Sequence, residues 1–391
     1  MHTVPSVSTA PSIPERPARP QRRGPGLAAL AALLITAAFP PLDSGWLAWI
    51  ALVPLLVAVG QTGRPLPAFG LGYLFGLIHW GLGTTWIGST VANWSGTPVG
   101  WVAWVLLTLI QALWHGAAGV ALWRAAREAG PVRQAVAAAA LWTVIEWLRG
   151  QGPLAMPWLL IGYTQHRALP LIQASDLAGI YAVSFLVVFA NAALAAGLLA
   201  RDRSGRFCWR APATAAVLAL AALAYGMAAL AWNRASAGEG AVVVAAFQPN
   251  IRSERTGLDS VERDLRVLEA QSADAAGQGV ELAAWPETIA PEDAVNAPAT
   301  RGAFSRMARR LGAHVLVGTG YRDDQGRSYN SAALFAPDGA LAARYDKQWL
   351  VPFGEWIPLR PILPFGDVFH FPEQDVTAGT GAQVQTAGRA R

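Results

Sequence analysis

Residues 241–250 read AVVVAAFQPN, and this stretch separates two kinds of sequence. Before it, apolar residues form long blocks with few charges, and after it, short apolar runs alternate with amphipathic segments. Seven apolar residues closed by Gln248-Pro249-Asn250 predict a buried strand that ends at a turn. We therefore expect an α-helical membrane domain followed by an α/β domain.

The composition agrees with a membrane protein, since 53% of the residues are hydrophobic and only 14% are charged. Residues 1–240 hold 15 Lys+Arg against 7 Asp+Glu, whereas residues 241–391 hold 15 against 18. The positive excess thus belongs to the membrane half, where arginines in short loops set orientation. Because the second half has no basic excess, we do not expect a nucleic-acid partner.

Seven apolar blocks are expected to form the membrane domain, residues 27–232, behind a proline-rich tail, residues 1–26, predicted to be disordered. The first two blocks are short for a span of ~20 residues, so we expect a hairpin bent at Pro40-Pro41. The blocks are 27–39, 45–60, 67–92, 99–123, 132–148, 172–200 and 211–232.

Arginine placement predicts the orientation of these blocks. With a cytoplasmic N-terminus, twelve arginines fall in the inner segments, and the outer loops between the blocks carry only Arg149 and Arg167. This asymmetry matches the positive-inside rule, so residues 241–391 are expected on the outer face of the membrane.

Ionisable residues inside apolar blocks are candidates for function. Glu146 is expected to pair locally with Arg149, three residues along the same helix. For His79 and His115 we expect hydrogen-bonded interior positions, and Asp176 lies near the start of the sixth block.

The second half alternates strands and helices and ends in a hairpin, which predicts a layered α/β domain over residues 241–391. An amphipathic helix is expected at 257–277, with one apolar face made of Leu258, Val261, Leu265 and Leu268. The other predicted elements are strands at 280–285, 314–320, 328–336 and 340–346 and a helix at 299–311.

Two charged residues follow predicted strand ends, where α/β sheets usually carry functional groups. They are Glu287 and Lys347, and Lys347 is the only lysine among 30 basic residues. A carboxylate and an ammonium at one sheet edge could act as a general base and an electrostatic stabiliser. Two solvated surface charges would give the same spacing. A single lysine kept beside 29 arginines favours the chemical interpretation, however, because arginine does not replace a compact ammonium.

The order of motifs adds a family resemblance. The chain resembles bacterial apolipoprotein N-acyltransferases, membrane members of the carbon–nitrogen hydrolase (nitrilase) superfamily. The motifs are PWLLIGYTQ at 157–165, FQPNI at 247–251, WPET at 285–288, YNS at 329–331 and YDKQWLVPFGE at 345–355.

The resemblance implies transfer of an acyl chain from a phospholipid to the α-amine of a diacylglyceryl-cysteine apolipoprotein, through a thioester on the enzyme. By motif position, Glu287 corresponds to the general base, Lys347 to the cation that stabilises the oxyanion, and Glu355 to a supporting acidic residue. The resemblance also implies an α-β-β-α sandwich, a monomer, no cofactor or metal, and a bacterial inner membrane location with a periplasmic catalytic domain.

The nucleophilic cysteine that the resemblance implies is expected beyond Arg391, after a segment that Thr377-Ala378-Gly379 matches. The one cysteine of the sequence, Cys208, lies in a predicted inner loop, so it is not expected to replace the nucleophile. We therefore expect a truncated member with an incomplete sandwich, and no hydroxylamine-sensitive acyl adduct when the chain alone meets labelled phospholipid.

Two other classes remain open at this point. A polytopic transporter or lipid-binding protein would tolerate Lys347→Arg, whereas an enzyme would not. A nitrilase or amidase merely tethered to the membrane would keep its activity on small amides after excision of the outer domain.

Overall fold

The computed structural model describes residues 23–152, 155–201, 205–236, 242–251, 258–358, 360, 374–382 and 384–387. The chain divides into two compact units, Met1–Trp232 and Asn233–Arg391, called here the helical unit and the α/β unit. The predicted tail lies outside the described residues as far as residue 22. From Gly24 onward the chain is helical, earlier than predicted, because Pro25 is favoured in the first turn of a helix.

Each predicted apolar block contains helix. Three blocks are interrupted, however. The second breaks at Leu52, the third at Thr84, whose hydroxyl bonds the Trp80 carbonyl at 2.6 Å, and the sixth at Gly179, which has a φ of 62°. The helices are α1 (Gly24–Ala37), α2 (Ala48–Ala51), α3 (Val53–Gly60), α4 (Pro65–Gly83), α5 (Thr85–Ser95), α6 (Val99–Ala125), α7 (Pro131–Arg149), α8 (Leu169–Ile172), α9 (Ser175–Ala178), α10 (Ile180–Leu199) and α11 (Arg210–Ser236).

Four described helices are long and apolar enough to cross a membrane: α4, α6, α10 and residues 210–233 of α11. The apolar helices Gly24–Ala37 and Gly45–Gly60 are shorter, so a total of seven spans stays a prediction. Close packing joins α4 to α6, because a Cβ on Gly72 would lie 2.1 Å from the His115 carbonyl oxygen. Small residues of this kind let membrane helices approach each other closely.

The first two apolar blocks form the expected hairpin, with a turn at Pro40-Pro41 and α1 packed against α3. Asn191 of α10 fixes the break between α2 and α3. Its Oδ1 accepts from the Leu52 amide at 2.9 Å, and its Nδ2 donates to the Ala48 carbonyl at 2.7 Å. This buried amide therefore satisfies backbone groups that the interrupted helix leaves unpaired.

The α/β unit contains a five-stranded mixed sheet in the order β1-β2-β3-β4-β5. The first three strands are parallel, and β4 and β5 are added antiparallel. Helices α12 and α13 share an apolar core with the sheet that includes Leu268, Phe304, Met307, Val315 and Phe335. The elements are β1 (Val244–Ala246), α12 (Leu258–Asp274), β2 (Leu282–Ala284), α13 (Pro298–Leu311), β3 (His314–Arg322), β4 (Ser328–Phe335) and β5 (Leu341–Asp346).

The α/β unit departs from the prediction at its first strand. β1 forms, but only one of its faces is buried, since Ala245 packs against the core whereas Val244 is 52% exposed. β1 lies at the edge of the sheet, where it pairs only with β2 among the described strands. The predicted apolar face of α12 is confirmed for Leu265 and Leu268, and the side chain of Leu258 lies outside the described part.

Candidate active site

The sheet topology explains how Glu287 and Lys347 reach the same edge. β4 runs antiparallel to β3, and β5 antiparallel to β4, so β5 has the same direction as β2 and β3. The carboxyl ends of these three strands therefore lie on one side of the sheet. Glu287 lies three residues beyond the end of β2, and Lys347 follows directly on the end of β5.

The segment that carries Glu287 crosses over β3 at Gly318. A Cβ on Gly318 would lie 2.4 Å from the Pro286 carbonyl oxygen and 2.5 Å from the Glu287 Cα. The Ala290 amide donates to the Gly318 carbonyl at 3.0 Å and fixes the far side of the crossing. Only a residue without a side chain allows this approach, so Gly318 is what brings Glu287 across β3.

Gly318→Ala is expected to destabilise the α/β unit by about 1–3 kcal/mol and to displace Glu287, because the added methyl group collides with backbone atoms. Gly320→Ala in the same strand is the matched control, since a Cβ there meets no atom within 4 Å. Chemical denaturation of both variants in detergent micelles measures the difference. Equal unfolding midpoints for the two variants would contradict the close approach of the Pro286–Thr288 segment to Gly318.

One ammonium lies between two carboxylates at this edge. Nζ of Lys347 is 2.9 Å from Oε1 of Glu287 and 3.1 Å from Oε2 of Glu355. Nδ2 of Asn330 donates to Oε1 of Glu287 and to Oε1 of Glu355, both at 2.6 Å. The structure thus brings the three predicted residues together and adds Asn330, which the sequence analysis quoted within a motif but did not single out.

Backbone contacts hold this cluster in place. The Lys347 amide donates to the Asn330 carbonyl at 2.8 Å, and the Gly379 amide donates to the Lys347 carbonyl at 2.9 Å. Oε2 of Glu355 accepts from the Val351 amide at 2.7 Å. Glu355 is 14% exposed and Lys347 27%, whereas Glu287 is 62% exposed. Glu287 is therefore the member of the cluster that a substrate can approach.

The cluster shifts the protonation of two of its members. Hydrogen bonding from Lys347, with a further bond from Asn330, lowers the pKa of Glu287 against the opposing effect of burial. Burial disfavours the charged ammonium, but the hydrogen bonds with Glu287 and Glu355 outweigh it and raise the pKa of Lys347. Glu287 is consequently ionised and Lys347 charged at neutral pH.

Lys347→Met is expected to raise the pKa of Glu287 toward its ordinary value of 4.5, because the strongest influence lowering it is removed. Glu287 contributes stability above its unfolded pKa, and that contribution is lost as the pH falls through the lowered folded pKa. The difference in unfolding free energy between the wild type and Lys347→Met should therefore become smaller as the pH falls.

Carboxyl-labelled glutamate followed by NMR titration measures this pKa directly. Arg327→Met is the control, because Arg327 pairs with Asp323 and not with Glu287. A Glu287 titration that is the same in wild type and Lys347→Met would refute the coupling.

The loop after Lys347 exposes apolar side chains next to the cluster. Trp349 is 84% exposed, Val351 51% and Phe353 47%. Phe353 also has a φ of 62°, an uncommon conformation for a bulky residue. Large apolar side chains grouped at the surface are typical of contacts with a lipid or another apolar partner.

The ionisable residues of the helical unit have other partners. Nδ1 of His79 lies 2.9 Å from Oγ1 of Thr36, and Nδ1 of His115 lies 3.2 Å from the Gln111 carbonyl oxygen, as expected for interior histidines. Asp176 accepts a hydrogen bond from a tyrosine hydroxyl at 2.7 Å.

The expected ion pair between Glu146 and Arg149 is wrong. In the described part of the chain, both side chains instead bond the segment that follows α7, as Glu146 accepts from the Ile161 amide and Arg149 donates to the Trp158 carbonyl. Backbone groups near the helix end compete successfully for these charges.

Two remaining site predictions concern thiols and metals. Cys208 belongs to the helical unit, where its amide donates to the Gly197 carbonyl at 3.2 Å. Across the described ranges, no group of three or more His, Cys, Asp or Glu residues could hold a metal ion.

Comparison with known proteins assigns both units. Residues 31–193 match the model of the apolipoprotein N-acyltransferase N-terminal domain, and residues 243–382 match that of carbon–nitrogen hydrolases. An apolipoprotein N-acyltransferase from Geobacter metallireducens is 33% identical over 355 residues, which cover 88% of this chain and 67% of the relative. The chain belongs to the apolipoprotein N-acyltransferase family.

An apolipoprotein N-acyltransferase from Methylococcus capsulatus is 32% identical over 375 residues. The matched region covers 93% of this chain and 71% of the relative. The chain thus spans about two thirds of the length of these relatives. A carbon–nitrogen hydrolase superfamily protein from Xanthomonas campestris is 21% identical, with a TM-score of 0.24 over 33% of this chain and 44% of the other. Family membership makes the chain an enzyme by descent, with a membrane helical region and a carbon–nitrogen hydrolase domain.

Proposed function

We propose that this chain supplies the general base and the oxyanion-stabilising cation for transfer of an acyl group from a phospholipid to the N-terminal α-amine of a diacylglyceryl-cysteine apolipoprotein. The observation that carries the proposal is the single ammonium of Lys347 held between the carboxylates of Glu287 and Glu355. Such a cluster supplies a proton acceptor and a permanent positive charge within a few ångströms of each other. Acyl transfer needs both, because a proton leaves the nucleophile while negative charge develops on the carbonyl oxygen.

In the first half-reaction, Glu287 takes the proton of a cysteine thiol, the nucleophile that the resemblance implies. The thiolate attacks the ester carbonyl of the phospholipid, a carbon–sulfur bond forms, and the lysophospholipid alkoxide leaves with the proton from Glu287. In the second, the acceptor amine attacks the thioester, Glu287 removes its proton, and the released thiolate takes that proton from Glu287, which restores the starting thiol and carboxylate. Each half-reaction passes through one tetrahedral oxyanion, which Lys347 stabilises.

The contact between Glu287 and Lys347 couples the two roles. While Lys347 bonds Glu287, the pKa of that carboxylate is low and its basicity is weak. As the ammonium shifts toward a developing oxyanion, Glu287 loses this stabilisation and its pKa rises, so proton uptake becomes favourable when the nucleophile attacks. Glu355 also anchors the ammonium, since its Oε1 accepts from Nζ of Lys347 at 3.2 Å and from Nδ2 of Asn330 at 2.6 Å.

Lipid-anchored substrates suit the surroundings of this cluster. The exposed side chains of Trp349, Val351 and Phe353 offer an apolar surface for acyl chains beside Lys347. We further propose that the membrane domain, residues 27–232, lies in the bacterial inner membrane and that residues 241–391 act on the periplasmic side as part of a monomer. The arginine asymmetry of the sequence supports this orientation.

A chimera tests the proposal. This chain replaces the matched part of the Geobacter metallireducens relative, and the product is incubated with phospholipid and a diacylglyceryl-cysteine peptide. We expect N-acylated peptide and a hydroxylamine-sensitive acyl-enzyme. A folded chimera that hydrolyses small amides but never acylates the peptide would favour the tethered amidase instead. A chimera that binds phospholipid without any turnover would favour a lipid-binding protein.

A further inference from the structure

The last turn of α7 carries two charged side chains that are almost completely buried. Glu146 and Arg149 are each only 4% exposed. Oε1 of Glu146 accepts hydrogen bonds from the Ile161 amide and from Nε1 of Trp142, both at 3.0 Å. Nη2 of Arg149 donates to the Trp158 carbonyl at 2.8 Å. The two charges thus attach both ends of the Trp158–Ile161 turn to α7.

This turn has a conformation that needs support. Leu159 has a φ of 52°, in the left-handed region that leucine seldom occupies. Its side chain lies against Gly83, where a Cβ would be 2.8 Å from Cδ1 of Leu159. The Gly162 amide, which directly follows the turn, donates to Oγ of Ser184 at 2.9 Å and fixes the chain there. Strained backbone persists where surrounding contacts determine it, as they do here.

The buried charges of Glu146 and Arg149 are only partly satisfied by hydrogen bonds. In the part of the chain that the structure describes, Oε2 of Glu146 and Nε of Arg149 are buried without a hydrogen-bond partner. Incompletely satisfied buried charges destabilise a fold, and apolar residues of similar volume would often serve packing as well or better. Their presence therefore indicates a role for the turn that they hold.

The turn presents an aromatic pair at the surface of the helical unit. Trp158 is 39% exposed and stacks on Trp86 of α5, which is 51% exposed, with ring centroids 5.1 Å apart and planes at 30°. Indole rings have an apolar body and a polar N–H, and in membrane proteins they collect at the level of the lipid headgroups. An exposed stacked pair on an apolar helical unit fits the glycerol and headgroup region of a phospholipid.

We propose that Glu146 and Arg149 are positioning residues that keep Trp158 stacked on Trp86, and that this pair contacts phospholipid at headgroup level. The contact requires only that the helical unit lies in a bilayer. It can therefore hold or fail separately from acyl transfer at Glu287 and Lys347.

Fluorine NMR of the whole chain, labelled with fluorotryptophan and reconstituted in phosphatidylethanolamine–phosphatidylglycerol nanodiscs, tests both parts. Trp158→Phe assigns the Trp158 resonance, and Trp86→Leu should shift it through loss of the stacked ring. A nitroxide on the lipid headgroup should broaden this resonance more than a nitroxide near the end of the acyl chain. The reverse order of broadening would overturn the lipid contact.

Variants of α7 test the positioning role. Glu146→Gln keeps an oxygen acceptor for the Ile161 amide, so the Trp158 resonance should stay in place, whereas Glu146→Leu should shift it. Trp209, which is 70% exposed, reports the integrity of the helical unit. A Trp158 resonance unmoved by Glu146→Leu would refute the role.

If Glu146→Leu does not fold, the Arg149→Lys variant tests the positioning role instead. It keeps the charge but loses the guanidinium geometry that reaches the Trp158 carbonyl, so the resonance should shift while the Trp209 resonance does not. An Arg149→Lys spectrum identical to that of the wild type would overturn the positioning role.

Discussion

Glu287→Gln is expected to lower the turnover of the chimera with the Geobacter relative by about 10²–10⁴-fold, the usual contribution of a general base. Glutamine has nearly the shape of glutamate, and its carbonyl oxygen can still accept from Lys347 and Asn330, which lie 2.9 and 2.6 Å from Oε1 in the wild type. The amide cannot take up a proton, however. The loss should therefore fall on the chemical steps while the fold stays intact.

The measurement is the rate of N-acylated peptide formation at saturating substrate, together with the rate at which the acyl-enzyme forms in a single turnover. Glu262→Gln is the matched control, since Glu262 belongs to the same unit and is 73% exposed on α12. The wild-type rate should fall as acid protonates Glu287, and this limb of the pH profile should disappear in Glu287→Gln. A variant that keeps both the wild-type rate and its acid limb would remove Glu287 from the proposed mechanism.

The order of strands and helices in the α/β unit could be predicted from sequence because it depends on local patterns. The apolar runs at 280–285 and 314–320 each contain a strand, and β4 and β5 form the expected hairpin, joined at Pro337-Asp338-Gly339. The exposure of β1 could not be predicted in the same way. An apolar run shows that a strand prefers burial, but its place in the sheet depends on which other strands pair with it.

The cluster was predictable in part for the same reason. Glu287 and Lys347 could be found because each follows a strand end, a property visible along the chain. Asn330 and Gly318 could not, since their importance arises between strands. Asn330 pairs with Gly320 in the β3–β4 register, and Gly318 matters only because the Pro286–Thr288 segment crosses it. Likewise, the i,i+3 spacing of Glu146 and Arg149 suggested an ion pair because the competing backbone groups of Trp158 and Ile161 lie in a later segment.

Lys347→Arg is expected to reduce turnover of the chimera by about 10²–10³-fold, the range seen when one donor to an oxyanion is lost. The substitution keeps the positive charge, so it separates the geometry of the donor from its charge. Nζ of Lys347 is a single point that lies 2.9 Å from Glu287 and 3.1 Å from Glu355. A guanidinium is planar and larger, and it would satisfy both carboxylates with different nitrogens, leaving no donor free to follow the developing oxyanion.

The comparison with a second charge-conserving variant makes this result specific. Arg327→Lys changes an exposed pair with Asp323 in the same unit and should leave turnover and unfolding midpoint nearly unchanged, as expected of surface ion pairs. If Lys347→Arg behaved like Arg327→Lys, then Lys347 would be an ordinary surface cation that survived by chance among 29 arginines, and the transporter or lipid-binding class would gain support. A large loss at Lys347 with an unchanged unfolding midpoint has one physical explanation within this cluster. The site needs a compact, mobile ammonium, which arginine cannot supply, and this need accounts for the one position in the chain where lysine is kept.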